Sequence, residues 1–225
     1  MISPISWFDI NLDVIAENIQ NIKTYIGKTK LLAVVKANAY GHGIVPVSVC
    51  AIENGADYIG VSNLEEGVLL RQNGIEAPIL LLNSILPEQA QEVVRFGLTA
   101  TVCSFDVVQA INEISTKLKT RACIHIKVDT GFGRFGILPE HALEFVKIIS
   151  SNFSNIEIEG IYTHFSSANN ETITRRQFNK FMSVIEQFEG AGFNIQIRHA
   201  CNSAATLKYP DMHLVMVRVG NLMYP

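Results

Sequence analysis

Eight short apolar runs, separated by segments with helical periodicity, constrain the fold of this chain more than any other feature. The runs are Leu31 to Val35, Tyr58 to Val61, Ile79 to Leu82, Thr99 to Cys103, Ala122 to Asp129, Ile156 to His164, Asn194 to His199 and Leu214 to Val219. No proline interrupts any of them, as expected of central strands that must donate on both sides. Helical segments follow at Val45 to Asn54, Asn63 to Gln72, Pro87 to Phe96, Ser104 to about Lys117, Pro139 to Ile149 and about Thr174 to Glu189. Gly55, Gly74 and Gly97 stand where the first three should end. In the last, Phe178, Phe181, Met182, Ile185 and Phe188 share one face. A further helix precedes the first run: Asn11 can cap it, and Ile15, Ile19, Ile22 and Ile26 follow at helical spacing up to Gly27. Trp7 to Leu12 reads as a short additional strand. Strand–helix alternation at this count predicts a (β/α)8 TIM-type barrel rather than a doubly wound sheet. The eighth helix is missing, because only Asn221 to Pro225 remain after the last run. The helix ring is therefore expected to be open on one side, with apolar strand surface exposed.

Composition narrows the function classes. The chain has 225 residues, 48% of them hydrophobic, enough for one large core. Its net charge of −3 and pI near 6.1 imply no basic face for nucleic acid. No apolar run approaches the roughly 18 residues of a membrane span. The N-terminus does not read as a signal peptide. Cys50, Cys103, Cys123 and Cys201 are widely spaced and read as reduced thiols of a cytoplasmic protein, with no metal site.

A barrel of this kind carries its site at the C-terminal ends of the strands. Lys36 and Tyr40 follow the first run; Lys127, Asp129 and Arg134 the fifth; His164 the sixth; His199, Asn202 and Ser203 the seventh; Arg218, Gly220 and Asn221 the eighth. Lys36 leaves a buried strand, where a partly desolvated amine suits Schiff-base formation. Loops after strands seven and eight are the usual phosphate site of the fold, and Asn202, Ser203, Gly220 and Asn221 fall on them. Pyridoxal 5′-phosphate combines a phosphate, an aldehyde for Lys36 and a ring nitrogen for Arg218. Two rival readings are weaker. Gly131 to Gly136 is a literal G-x-G-x-x-G, but it follows the fifth strand, and Glu157 and Glu159 lie too early on the next one to serve a ribose. A metal-dependent hydrolase using Lys127, His164 and His199 lacks a histidine pair on strand one.

Val34 to Gly43, which reads VVKANAYGHG, resembles the cofactor-attachment motif of the alanine racemase family. Lys127 to Arg134, Thr163 to Phe165, His199 to Ala204 and Arg218 to Gly220 resemble further segments of that family, in order. The resemblance implies a pyridoxal-phosphate-dependent isomerase that interconverts L- and D-alanine for cell-wall precursor supply. It implies that Lys36 anchors the cofactor and acts as base on the D-side. Tyr40, Ser203, Gly220 and Asn221 would hold the phosphate, joined at the rim by Asn202. Arg218 would meet the ring nitrogen, His199 would orient Arg218, His164 would pack near the ring, and Arg134 would contact the substrate carboxylate or the cofactor's phenolic oxygen. Lys127 matches a lysine that is carbamylated in many members. The family also implies a β-rich C-terminal domain, absent from these residues, and a homodimer in which the opposite base is a tyrosine of the other subunit. Val219 and Asn221 depart from the family pattern. Alternatives are a stand-alone pyridoxal-phosphate-binding barrel without racemase activity, or one with one-sided, transaminase-like chemistry.

Overall fold

The structure, a computed structural model, describes residues 8–224. Eight parallel strands close into a barrel in chain order: β1 (Lys30–Val34), β2 (Tyr58–Val61), β3 (Ile79–Ser84), β4 (Thr99–Val102), β5 (Ala122–Lys127), β6 (Ile156–Tyr162), β7 (Ile197–His199) and β8 (Met216–Val219). β8 returns to β1, with Leu31 opposite Val217 and Ala33 opposite Val219. Alternation along each strand sorts the side chains. Leu31 and Ala33 join the large cluster shared with the helices, whereas Leu32 and Val34 join Tyr58, Leu80, Ile197 and Met216 in a second cluster. The second cluster fills the barrel interior, as expected when neighbouring residues point to opposite faces.

The expected strand at Trp7 to Leu12 is not found where it can be seen. Trp7 lies outside the described residues, residues 8–11 are not strand, and Leu12 already opens α1 (Leu12–Ile26). Asn11 caps α1 by accepting from the Asp13 amide at 2.9 Å, so the local polar pairing favours helix over extended chain. α1 also corrects the expectation of an open side. Its Ile15, Ile19, Ile22 and Ile26 are buried in one cluster with Leu31, Ala33, Val217 and Val219, none of which is exposed. Asn18 donates to the Met223 carbonyl at 3.2 Å, and the Tyr25 hydroxyl donates to the Leu207 carbonyl at 2.9 Å. The helix that precedes the first strand thus covers the place where an eighth would stand.

Several strands end earlier than the apolar runs suggested. β5 stops at Lys127 and β6 at Tyr162, so Asp129 and His164 sit in the loops just above. Asp129 leaves the ladder because its amide donates to Ile137, beyond the glycine loop, at 2.8 Å.

Candidate active site

β1 delivers Lys36 through an unusual turn. Ala37, Asn38, Ala39 and Tyr40 all hold φ between +52° and +54° in a single left-handed turn. Each L-residue in that region costs about 1–2 kcal/mol, and runs of them are rare. Local bonds hold the turn in place: the Ala39 amide donates to Val35 at 2.7 Å, and the Ile44 amide donates to the Asn38 side chain at 2.9 Å. The outcome is that Lys36 and Tyr40 both face one cavity at the C-terminal mouth of the barrel.

That cavity, of about 280 Å³, gathers most of the residues expected from sequence. Lys36, Tyr40, Lys127, Arg134, His164, Asn202, Ser203, Arg218, Gly220 and Asn221 all line it. His199 does not reach it. It lies fully buried one layer deeper, where its Nδ1 accepts from Arg218 Nη1 at 2.8 Å. Arg218 also donates from Nη2 to the Thr163 and Ala200 carbonyls at 2.8 and 3.0 Å. Its guanidinium is thereby fixed against the cavity floor. The Asn202 side chain is engaged as a helix cap, accepting from the Ala205 amide at 3.1 Å, so it shapes the rim from below.

On the β8 side, Ser203 Oγ accepts from the Gly220 amide at 3.0 Å. A Cβ at residue 220 would come within 2.7 Å of the Tyr40 hydroxyl oxygen, so only glycine lets the two approach. Ser203 thus meets the amide of Gly220, while the Tyr40 hydroxyl lies against the space a side chain at residue 220 would fill. No acidic side chain lines the cavity among the described residues, while Lys36, Lys127, Arg134 and Arg218 do. Such a balance suits an anion. The positive charges add to burial in setting protonation here. Burial, reinforced by Arg218, Arg134, Lys127 and Lys36, pushes His164 down to about 3, so it is neutral. Burial, with the Arg134 and Arg218 charges, lowers the Lys127 ammonium to about 7.

The glycine motif has another use. Asp129 Oδ1 accepts from the amides of Gly131 and Phe132 at 2.9 and 2.8 Å, so the loop amides surround their own carboxylate and not a dinucleotide phosphate. The loop instead brings Arg134 to the rim and lays Phe135 under the Lys127 ammonium, Nζ standing 3.2 Å from the ring centroid.

Sequence reasoning missed Tyr162. Its ring stacks on His199 with centroids 4.7 Å apart, and its hydroxyl meets Thr101 Oγ1 at 2.9 Å. It stands two residues before His164 on a strand of period two, a signal that could have found it. His125 was missed for the same reason, two residues before Lys127.

Residues 10–225 match the family model described as alanine racemase, N-terminal domain. The alanine racemase of Methanococcus maripaludis is 44% identical over 228 residues, covering 100% of this chain and 61% of that protein. Alanine racemase 1 of Oceanobacillus iheyensis is 42% identical, covering 97% of this chain and 59% of its own length. The solved alanine racemase of Clostridium difficile 630 superposes on the whole chain with a TM-score of 0.94 at 37% identity, 63% of that structure being covered. The chain therefore spans about three fifths of the length of the relatives it matches. By its barrel, its rim and these matches, the chain belongs to the alanine racemase family and carries that family's N-terminal domain.

Proposed function

We propose that the chain is the cofactor-binding barrel of a pyridoxal-phosphate-dependent racemase acting on alanine, a small amino-acid substrate. One observation carries the reading: Lys36, Arg218 and the Tyr40–Ser203–Gly220 cradle converge on a single cavity. Their chemistry fits the cofactor. The cradle offers two hydroxyls where a phosphate needs donors, Lys36 offers a primary amine to an aldehyde, and Arg218 offers N–H groups to a ring nitrogen. When bound, pyridoxal phosphate supplies an electron-withdrawing system that acidifies the substrate α-carbon.

The chain's own residues do the rest. Lys36 would anchor the cofactor through Nζ, and the free amine would carry a proton at Nζ on one face. Arg218 can only donate, so it keeps the ring nitrogen unprotonated. His199 accepts from Arg218 and orients it. His164, held neutral, fills the side of the cavity without competing for anions. Arg134 meets the substrate carboxylate or the cofactor's phenolic oxygen. Lys127, with its ammonium weakened, is poised to take up carbon dioxide as a carbamate, which would set an anion beside Arg134.

Racemisation needs a second proton carrier on the opposite face, and geometry gives Lys36 one face only. We assign that carrier to a tyrosine of a β-rich domain beyond these residues, contributed by the other subunit of a homodimer. Supply of D-alanine to cell-wall precursors in the cytoplasm is the matching role. The test is spectroscopic and kinetic. The chain with pyridoxal phosphate should show a visible absorbance band that borohydride fixes onto Lys36, and Lys36→Ala should abolish the adduct. Conversion of L- to D-alanine by these residues alone should be slow. Turnover matching that of a full-length racemase would overturn the division of labour, and an adduct on another lysine would overturn the anchor.

A further inference from the structure

A buried chain of hydrogen bonds leads from Arg218 away from the cavity, through the barrel interior. Arg218 Nη1 meets His199 Nδ1 at 2.8 Å, His199 Nε2 meets His125 Nδ1 at 2.9 Å, and His125 Nε2 meets Glu159 Oε2 at 3.1 Å. The Tyr58 hydroxyl donates to the other Glu159 oxygen at 2.9 Å. Both imidazoles are fully buried.

The direction of this chain follows from its two ends. A guanidinium has no acceptor, so the bond from Arg218 exists only while His199 Nδ1 accepts and the imidazole proton sits on Nε2. That proton can only be donated to His125 Nδ1, which places the second proton on His125 Nε2. The Glu159 carboxylate accepts it. Every link is satisfied only in this one arrangement, and the arrangement needs an acceptor at the far end. Burial lowers both histidines; for His125 the Glu159 carboxylate opposes this without cancelling it, and Arg218 adds to the lowering of both, so each is neutral and has a tautomer to choose. Burial alone would raise the Glu159 carboxyl, but the bonds from His125 and Tyr58 hold it below its ordinary value.

Two independent features of the fold serve this chain. Ile124 pairs with Ile158 while His125 pairs with Gly160, so Glu159 is the extra residue of a β-bulge in β6. Such a bulge re-aims a side chain, here toward Tyr58 and His125 in the interior. The next residue is Gly160, where a Cβ would fall 2.5–2.6 Å from three atoms of the His125 ring. Any other residue there would push the imidazole out of line.

We propose that Glu159 is a remote positioning residue for the reaction: acting through His125 and His199, its carboxylate fixes both tautomers and so holds Arg218 in register with the cofactor's ring nitrogen. The last clause rests on the racemase reading; the tautomers do not.

The test separates the two. Imidazole 15N spectra of the cofactor-free chain should show protonated Nε2 and bare Nδ1 on both His125 and His199. Glu159→Gln, whose amide oxygen can accept the same bond, should keep that pattern. Glu159→Leu should release it, giving a mixture that includes His199 protonated on Nδ1, in which the bond from Arg218 is lost. In the loaded chain, Glu159→Leu should shift the visible absorbance band and weaken pyridoxal phosphate binding by about tenfold, a loss of the size expected from a disturbed bond to a charged group. Glu159→Gln should do neither. An Nδ1-protonated or doubly protonated His199 in the unsubstituted chain overturns the proposal, whether or not any variant folds. So does an unchanged pattern in Glu159→Leu. Failure of the unsubstituted chain to form an adduct on Lys36 overturns the cofactor reading and leaves the tautomer result standing.

Discussion

Both oxygens of the Asp129 carboxylate reach the Gly133 amide, Oδ1 at 3.2 Å and Oδ2 at 2.9 Å. With Gly131 and Phe132 also donating to Oδ1, one side chain organises the loop that carries Arg134 and Phe135. Burial alone would raise this carboxyl, but the three amides and the Lys127 charge hold it below its ordinary value. A depressed carboxylate adds stability above the unfolded-state value and loses it as pH falls through the folded one. Asp129→Ala is expected to cost about 1 kcal/mol at neutral pH, because several loop amides lose their acceptor but are exposed enough for water to replace it. Urea unfolding between pH 3 and 7 checks it: the gap between the two proteins should close toward the acid end.

Lys127 behaves in the opposite sense. Its ammonium, lowered to about 7, gives up a proton in the folded chain that the unfolded chain keeps until near its ordinary value of 10.5. The unfolded state then binds more protons between those limits, so stability should rise as pH climbs from about 7 toward 10. Lys127→Met should remove that rise. Dissolved carbon dioxide should trap the neutral amine as a carbamate, releasing protons, and so add stability to the folded chain and start the rise at a lower pH. Denaturant titrations with and without bicarbonate, alongside a 13C carbamate resonance missing in Lys127→Met, measure both effects.

Much of the barrel was legible because its signals are local. Periods of two and 3.6 reveal which residues face a core, and the eight runs became eight strands in order. The strand ends were not legible, because Asp129 bonds across the glycine loop to Ile137 and His164 meets Arg218 from another strand, neither of which a strand's own periodicity reveals. The role of α1 was hidden too, since covering β1 and β8 is a tertiary fact. At the site, residues that follow strands could be read from position alone, and all of them but Asp129 and His199 share the cavity. His125, Tyr162 and Glu159 could not be placed that way. They lie inside the barrel, and Glu159 points there only through a bulge that no pattern of single residues announces.

The left-handed turn was equally invisible, because Ala37 and Ala39 are ordinary helix formers. It stores strain beside Lys36. Ala37→Gly removes the Cβ that disfavours φ of +52° and should relieve about 1–2 kcal/mol in the folded chain. The added freedom of glycine in the unfolded chain takes back about half to one. A net gain near 0.5 kcal/mol is expected, read as a higher midpoint in urea. The same change should loosen the turn that aims Lys36 and Tyr40, slowing formation of the borohydride-fixed adduct.

Gly160 and His125 supply the strictest packing test. A Cβ at residue 160 would overlap the imidazole at 2.5–2.6 Å, far inside contact distance, and the ring has little room to retreat between His199 and Glu159. Gly160→Ala is expected to destabilise the barrel by about 2–3 kcal/mol through overpacking. If the clash with His125 is the cause, the cost should shrink once that ring is gone. In a His125→Ala background, Gly160→Ala should therefore cost at least about 1 kcal/mol less than it does alone, as coupled neighbours do in a double-mutant cycle. Equal costs in the two backgrounds would show that the glycine serves the strand backbone and not the imidazole.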